Sequence, residues 1–355
     1  MSGSSAEARP GVRRRVFSCL MLGSSEPPVL SMHLNATSAY VHAWVVTESP
    51  VTLSGHNRGI LHQVVRGLGE VFGPERIRHE IVPAIRMRQT RGTLRTDGAF
   101  KNEALQRSWC ELGLRSFHPH PDDMVLILDP DEVPSVEQLA QLVDSSQSAR
   151  NGLLRVPLKE YTYDLSCRGA IWTLVVATSW ALVQRMAVVA PDDWAHLARF
   201  NVKALRDKMG ATNGSTAPPE SGLREERLAV SRLGFHLTYG MTDVGIVEKL
   251  RSFAHTELSD EQMTDAASVA QRVAFGCDPG LRWVSKGVPK LACRDRPNGT
   301  TWEAASEEWM RRLAHDAMPH TLTRAHEREA LQLRGHDRLR ACSELSLQAR
   351  PPRSP

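Results

Sequence analysis

The sequence predicts an α/β fold with a largely parallel central sheet flanked by helices. Strand-like and helix-like segments alternate from Tyr40 to Leu158, the signature of a parallel sheet covered by its crossovers. One apolar run, Met124–Leu128, stops abruptly in Asp129, Pro130, Asp131 and Glu132. That places acidic chemistry at the carboxyl end of a strand, where such sheets bind ligands. Beyond Tyr161 the β-like segments lengthen, which predicts a sheet that becomes mixed.

In chain order, residues 1–13 read as a disordered tail, and VFSCLML behind the arginines as a short apolar patch with neither the apolar core nor the cleavage site of a signal peptide. Tyr40–Thr47 reads as the first strand. Ile60, Val64, Leu68 and Phe72 share a helical stripe over 58–72. Ile77–Ile81 is the second strand and 99–117 a long helix with Leu105, Trp109 and Leu112 in register. Met124–Leu128 is the third strand. Ser135 with Gln138 three residues on forms a capping box that opens a helix to Val143. A fourth strand starts at 151–158. The uncharged stretch 169–184 is too short for a membrane span and reads as two buried strands and a turn. Residues 211–222 have loop composition, 242–253 a helical pattern, and 291–355 form a charged, helical C-terminal extension to a domain spanning 14–290.

Composition narrows the function classes. With 24% charged residues and a net charge of +4, carried largely by RPGVRRR and RPPRSP at the two ends, nothing marks a nucleic-acid face. Six widely spaced cysteines contain no C-x-x-C, so no zinc site is expected and the redox compartment stays open. Asn35, Asn213 and Asn298 open glycan-acceptor sequons, relevant only in a secretory lumen.

The acidic tip carries the chemistry. In an extended strand end, residues two apart point the same way, so Asp129 and Asp131 are expected together with Glu132 opposed, and Pro130 marks where the ladder stops. Two adjacent carboxylates repel. One keeps a proton unless a cation intervenes, and carboxylate oxygens suit a hard ion such as Mn²⁺ or Mg²⁺. Such an ion could grip a diphosphate leaving group. The plain alternative is an acidic turn that caps the next helix. A sharper one is a phosphohydrolase of the haloacid dehalogenase type, with Asp129 as nucleophile and Asp192–Asp193 as its late acidic motif. Two strand–helix units before the motif argue against it.

Four blocks then appear in order. WVVTESPVTLSGHNRGI carries Glu48, Ser49, Thr52, Gly55 and Arg58. FKNEALQRSWCELGL carries Asn102, Glu103, Gln106 and Arg107. PDDMVLILDPDEVP holds the acidic tip, and LGFHLTYGMTDVGIVEKLRSFAHTELS carries Gly234, His236, Lys249, Ser252, His255 and Glu257. Together these blocks resemble glycosyltransferase family 17, with Phe235 where the family has Trp and a poorly matching segment around 21–37. The resemblance implies a GT-A fold, a UDP-sugar donor (UDP-GlcNAc foremost), a divalent metal at D-x-D-E, and inverting transfer to a mannose hydroxyl of an N-glycan in the Golgi lumen.

Roles follow as expectations. Asp131 ligates the metal directly, while Asp129 takes the donor ribose or a metal-bound water. Glu132 orients the turn. His236 adds a metal or diphosphate contact, or is simply a satisfied core histidine. Glu257, beside His255, is the candidate general base, because inversion needs a group to take the acceptor proton; Asp243 and Glu160 are alternatives. Glu48, Thr52, Gly55, Arg58, Asn102 and Arg107 surround the donor, although Arg107 could instead pair with Glu103 four residues earlier. Trp172 and Trp180 stack on a sugar or pack the core. A GT-A module that binds a nucleotide-sugar without turnover is the remaining alternative.

Overall fold

The computed structural model describes residues 14–23, 27–89, 95–144, 152–162, 167–211, 223–241, 243–256, 265–275 and 292–293. Among the described residues the chain is mixed α/β, with two sheets. VFSCLM is not a patch but strand β1 (Val16–Met21), buried along its whole length. A helix without a clear sequence signature, α1 (Pro27–Thr37), follows it. β2 (Val41–Glu48), α2 (His62–Phe72) and β3 (Ile77–Ile81) come next. The long helix breaks at Trp109 into α3 (Thr96–Ser108) and α4 (Cys110–Arg115). The acid-tipped run is thus the fourth strand, β4 (Met124–Leu128), followed by the two-residue strand β5 (Glu132–Val133).

The capping box closes as expected. Gln138 N donates to Ser135 Oγ at 3.2 Å and Ser135 N to Gln138 Oε1 at 2.9 Å, opening α5 (Val136–Asp144). β6 (Gly152–Arg155), β7 (Leu158–Thr162), β8 (Cys167–Trp172) and β9 (Val176–Ser179) follow. At Trp180 the sequence reading fails: WALVQRM is helix α6 (Trp180–Val189), capped by the Ser179 hydroxyl, rather than a continuing strand. Then come α7 (Trp194–Phe200), α8 (Val202–Ala211), β10 (Arg224–Arg227), β11 (Gly234–Thr238), α9 (Asp243–Ser252), α10 (Ala266–Phe275) and β12 (Ala292–Cys293). The expected tail at 1–13, Glu257 and nearly all of 291–355 lie outside the described residues.

The main sheet has seven strands in the order β10-β6-β9-β4-β1-β2-β3. β3, β2, β1 and β4 run parallel, whereas β9 is antiparallel to both β4 and β6, so the sheet becomes mixed as the sequence suggested. β1 is central and apolar on both faces, as a strand covered by helices on each side must be. One face packs Leu20, Trp44, Leu126 and Leu139; the other packs Phe17, Val45, Ile127, Trp194 and Met186. A disulfide joins Cys19 of β1 to Cys110 of α4. Among the described residues no helix is long and apolar enough to cross a membrane.

The order of strands positions the site. After β1 the chain steps outward through β2 and β3, then returns to lay β4 on the other side of β1. The carboxyl ends of β1 and β4 therefore flank a topological switch point, where open α/β sheets leave a crevice. A second sheet, in the order β12-β8-β7-β11-β5, was not foreseen. It grows from β5, two residues past Pro130, and brings β11 antiparallel against it, with His236 opposite Glu132.

Candidate active site at the acidic turn

The turn is tight rather than extended. Glu132 N donates to Asp129 O at 3.0 Å, and Glu132 Oε2 accepts from Asp129 N at 2.6 Å. The two-apart rule therefore does not apply here, and the expected pairing of Asp129 with Asp131 is corrected: Asp129 shares a cation with Glu132, and Asp131 faces elsewhere.

Asp129 accepts from both terminal nitrogens of Arg107, at 2.5 and 3.1 Å, and lies 3.5 Å from Arg199. Burial by itself would raise its pKa. The charges of Arg107 and Arg199 and the Arg107 hydrogen bond outweigh that and hold it well below the usual carboxylate range. Of the two partners expected for Arg107, the ion pair with Glu103 is present at 2.9 Å, and the almost wholly buried guanidinium holds Asp129 as well. Burial would raise Glu103 as well, yet Arg107 keeps it depressed. Both Asp129 oxygens are thus engaged by Arg107.

Glu132 is fully buried. Arg199, itself 1% exposed, donates to both its oxygens at 2.7 and 2.9 Å, and Trp172 Nε1 donates to Oε1. Burial, reinforced by the like charges of Asp129 and Asp131, pushes Glu132 up to about 7 despite Arg199. Arg199 was not singled out in the sequence, nor was His33. That imidazole, on α1, lies fully buried beneath Pro130–Glu132, with neither ring nitrogen in a well-aligned hydrogen bond. Burial lowers it to about 4, although backbone groups of Pro130 and Glu132 lie near.

Asp131 points to the second sheet. Its Oδ2 accepts from Lys249 Nζ at 2.8 Å, and its Oδ1 stands 4.0 Å from His236 Nε2, beyond hydrogen-bond reach. Burial lowers the His236 pKa, which favours the neutral, lone-pair-bearing imidazole. The ring stacks on Trp172 at 4.1 Å, and the Thr238 hydroxyl lies 3.3–3.4 Å from its nitrogens. Two donors, Asp131 Oδ1 and His236 Nε2, thus suit a divalent ion that draws its other ligands from substrate or water. No group of three His, Cys, Asp or Glu side chains is arranged to hold a metal among the described residues.

The residues expected around the donor hold a loop together through buried hydrogen bonds and an ion pair. Glu48 is fully buried: its carboxylate accepts from Leu61 N and His79 and pairs with Arg58 at 3.3 Å. Arg58 also donates to the carbonyls of Ser49 and Leu22. Thr52 Oγ1 accepts from His56 N, while Gly55 turns the chain at φ +94°. Asn102 donates to the carbonyls of Leu53 and Arg88, and Gln106 to those of Leu22 and Thr47. These side chains brace the segment 49–61 at the carboxyl edge of β2.

Several candidates fall away from the turn. Asp192 and Asp193 pair with Arg86 and Lys208 on exposed ground. Trp180 packs in the core. Glu160 accepts from Ala170 N within the β7–β8 hairpin. His255 sits edge-on to Phe100 at 5.1 Å.

This arrangement places an acidic turn at the switch point of an α/β sheet, where such sheets bind ligands. The model of glycosyltransferase family 17 matches residues 5–185, and the chain belongs to that family. The chain is therefore a glycosyltransferase. The matched span holds Glu48, Arg107 and the acidic turn, and ends before His236 and Lys249. No curated protein sequence matches the chain.

Proposed function

We propose that the chain transfers GlcNAc from UDP-GlcNAc to a mannose hydroxyl of an N-glycan, with inversion and with Mn²⁺ or Mg²⁺ held through Asp131 and His236. The observation that carries this reading is the pair of unjoined donors, Asp131 Oδ1 and His236 Nε2, 4.0 Å apart at the acidic turn of a family 17 chain. When bound, the ion would stabilise charge developing on the diphosphate as the anomeric carbon–oxygen bond breaks. The chain's own residues prepare that step. Arg107 and Arg199 pin Asp129 and Glu132, so the turn keeps one shape with or without substrate. The braced segment 49–61 offers the wall against which the donor lies. The acceptor hydroxyl must lose its proton as its oxygen attacks, and Glu257, outside the described residues, remains the proposed base. The disulfide between Cys19 and Cys110 suits the oxidising lumen in which N-glycans are built.

The phosphohydrolase reading loses support, because its nucleophile would be Asp129, clamped by two guanidiniums, and its acid/base would be Asp131, held by Lys249.

Asp131→Asn tests the proposal. It should lower transfer from UDP-GlcNAc by at least about a thousandfold, as loss of a metal-borne transition-state contact does, and abolish Mn²⁺-dependent thermal stabilisation by UDP. Wild-type activity in that variant would refute the assignment.

A further inference from the structure

Lys249 belongs to the last full turn of α9, and its contact with Asp131 joins residues 118 positions apart. Asp131 is buried and Lys249 partly so, with side-chain exposures of 6% and 15%. The ammonium therefore stands where the sequence argument required a cation, on the oxygen opposite the one facing His236. Two more observations surround it. The Tyr239 ring centre is 5.7 Å from Nζ, and Tyr239 itself takes a left-handed backbone at φ +60°, a conformation that a bulky residue keeps only where its surroundings impose it. The end of α9 is also tied to the donor-side loop: Ser54 donates to the carbonyls of Ser252 at 3.1 Å and Arg251 at 2.7 Å. One helix thus touches both the acidic turn and the braced segment.

We propose that Lys249 is a positioning residue that serves as a resident counter-cation. It neutralises Asp131 until a divalent ion displaces its ammonium from the carboxylate. The inference rests on the proposed metal at Asp131. Its physical basis is a competition. A buried carboxylate left without a cation is strongly destabilising, so Lys249 is needed in the metal-free protein. A divalent ion on Oδ1 and an ammonium on Oδ2 of the same carboxylate repel each other, which favours release of the ammonium. The Tyr239 face, already 5.7 Å from Nζ, gives the ammonium a favourable contact that does not depend on Asp131.

The test measures Mn²⁺ binding to the full chain by calorimetry and electron paramagnetic resonance, together with melting in EDTA and in Mn²⁺. Lys249→Met should bind Mn²⁺ about tenfold more tightly than wild type, melt lower in EDTA, and recover in Mn²⁺. Lys249→Arg, whose guanidinium fork grips a carboxylate with two bonds, should bind Mn²⁺ about tenfold more weakly. Arg251→Gln, an exposed position on the same helix, should change the affinity less than about twofold, because exposed charges are screened. An equal affinity in wild type and both Lys249 variants overturns the displacement alone. So does an Arg251→Gln gain that matches Lys249→Met, which would mean a general field effect. Mn²⁺ binding to none of the proteins overturns it together with the metal reading. Should Lys249→Met fail to fold, the Lys249→Arg result decides by itself.

Discussion

Arg199 shows what a single residue contributes. It enters from α7, 67 residues beyond Glu132, and delivers two hydrogen bonds to a carboxylate with no exposure at all. A buried ion pair adds little when intact, but removing one partner strands the other. Arg199→Met should therefore destabilise the chain by about 3–5 kcal/mol in urea unfolding, and the double variant with Glu132→Gln should recover part of that loss. His33 makes a second case, in pH. Its folded pKa, about 4, lies below the ordinary 6.5. Between those values this group binds more protons in the unfolded chain than in the folded one, so its contribution to stability falls as pH drops from 6.5 toward 4. The contribution is at most about 3 kcal/mol. Glu132, raised to about 7, works in the opposite direction: its contribution is full below the unfolded carboxylate value and is lost as pH rises to 7. Replacing His33 by Leu should flatten the acid side of a melting-versus-pH curve. An unchanged slope between pH 6.5 and 4 would refute this account.

At the scale of elements, the decisive junction is β5 against β11. Gly234 begins β11 where its backbone presses on β5: a Cβ added there would stand 2.0 Å from Val133 O and 2.7 Å from Pro134 backbone atoms. No side-chain adjustment relieves a clash with backbone. Gly234→Ala should cost about 2–3 kcal/mol or more in a melting experiment. It should also weaken Mn²⁺ binding, since the strand carrying His236 must move away from Asp131. A variant with wild-type stability and metal affinity would show that β5 and β11 are not held in register at this point. The short strand β5 is also what the sequence hid. A two-residue strand has no periodicity to read, and EVPS looks like a turn after an acidic tip. The helix at Trp180 was hidden for a related reason: Trp, Val and Leu suit a buried strand as well as a buried helix, so pattern alone cannot arbitrate.

For the whole molecule, the strongest long-range tie is covalent. Cys19 and Cys110, 91 residues apart, link the central strand to α4, and both are nearly fully buried. Closing a loop of that length stabilises by about 2–5 kcal/mol, mainly by restricting the unfolded chain. The double variant Cys19→Ala/Cys110→Ala should melt well below wild type in oxidising buffer and match fully reduced wild type. Melting temperatures that do not respond to the bridge would overturn that role. The disulfide also shows why cysteine spacing was uninformative: six positions spread over the chain allow many pairings, and only the stacking of α4 on β1 brings these two within reach.

The sequence by itself determined the alternation of strands and helices, the capped helix after the acidic turn, the motif blocks of family 17, and Asp129, Asp131 and Glu132 as the centre of interest. Those features are local: strand periodicity, a capping box and a run of carboxylates are written within a few neighbouring residues. Which cation each carboxylate receives was decided only in three dimensions. Arg107 for Asp129, Arg199 for Glu132 and Lys249 for Asp131 come from three helices far apart in the chain, and like-charge repulsion states only that some cation is required, not which one. The same holds for Glu48, Arg58 and Asn102, whose residue types invite contact with a ligand and whose partners in the loop were set only by the tertiary structure, because a buried polar group must be paired.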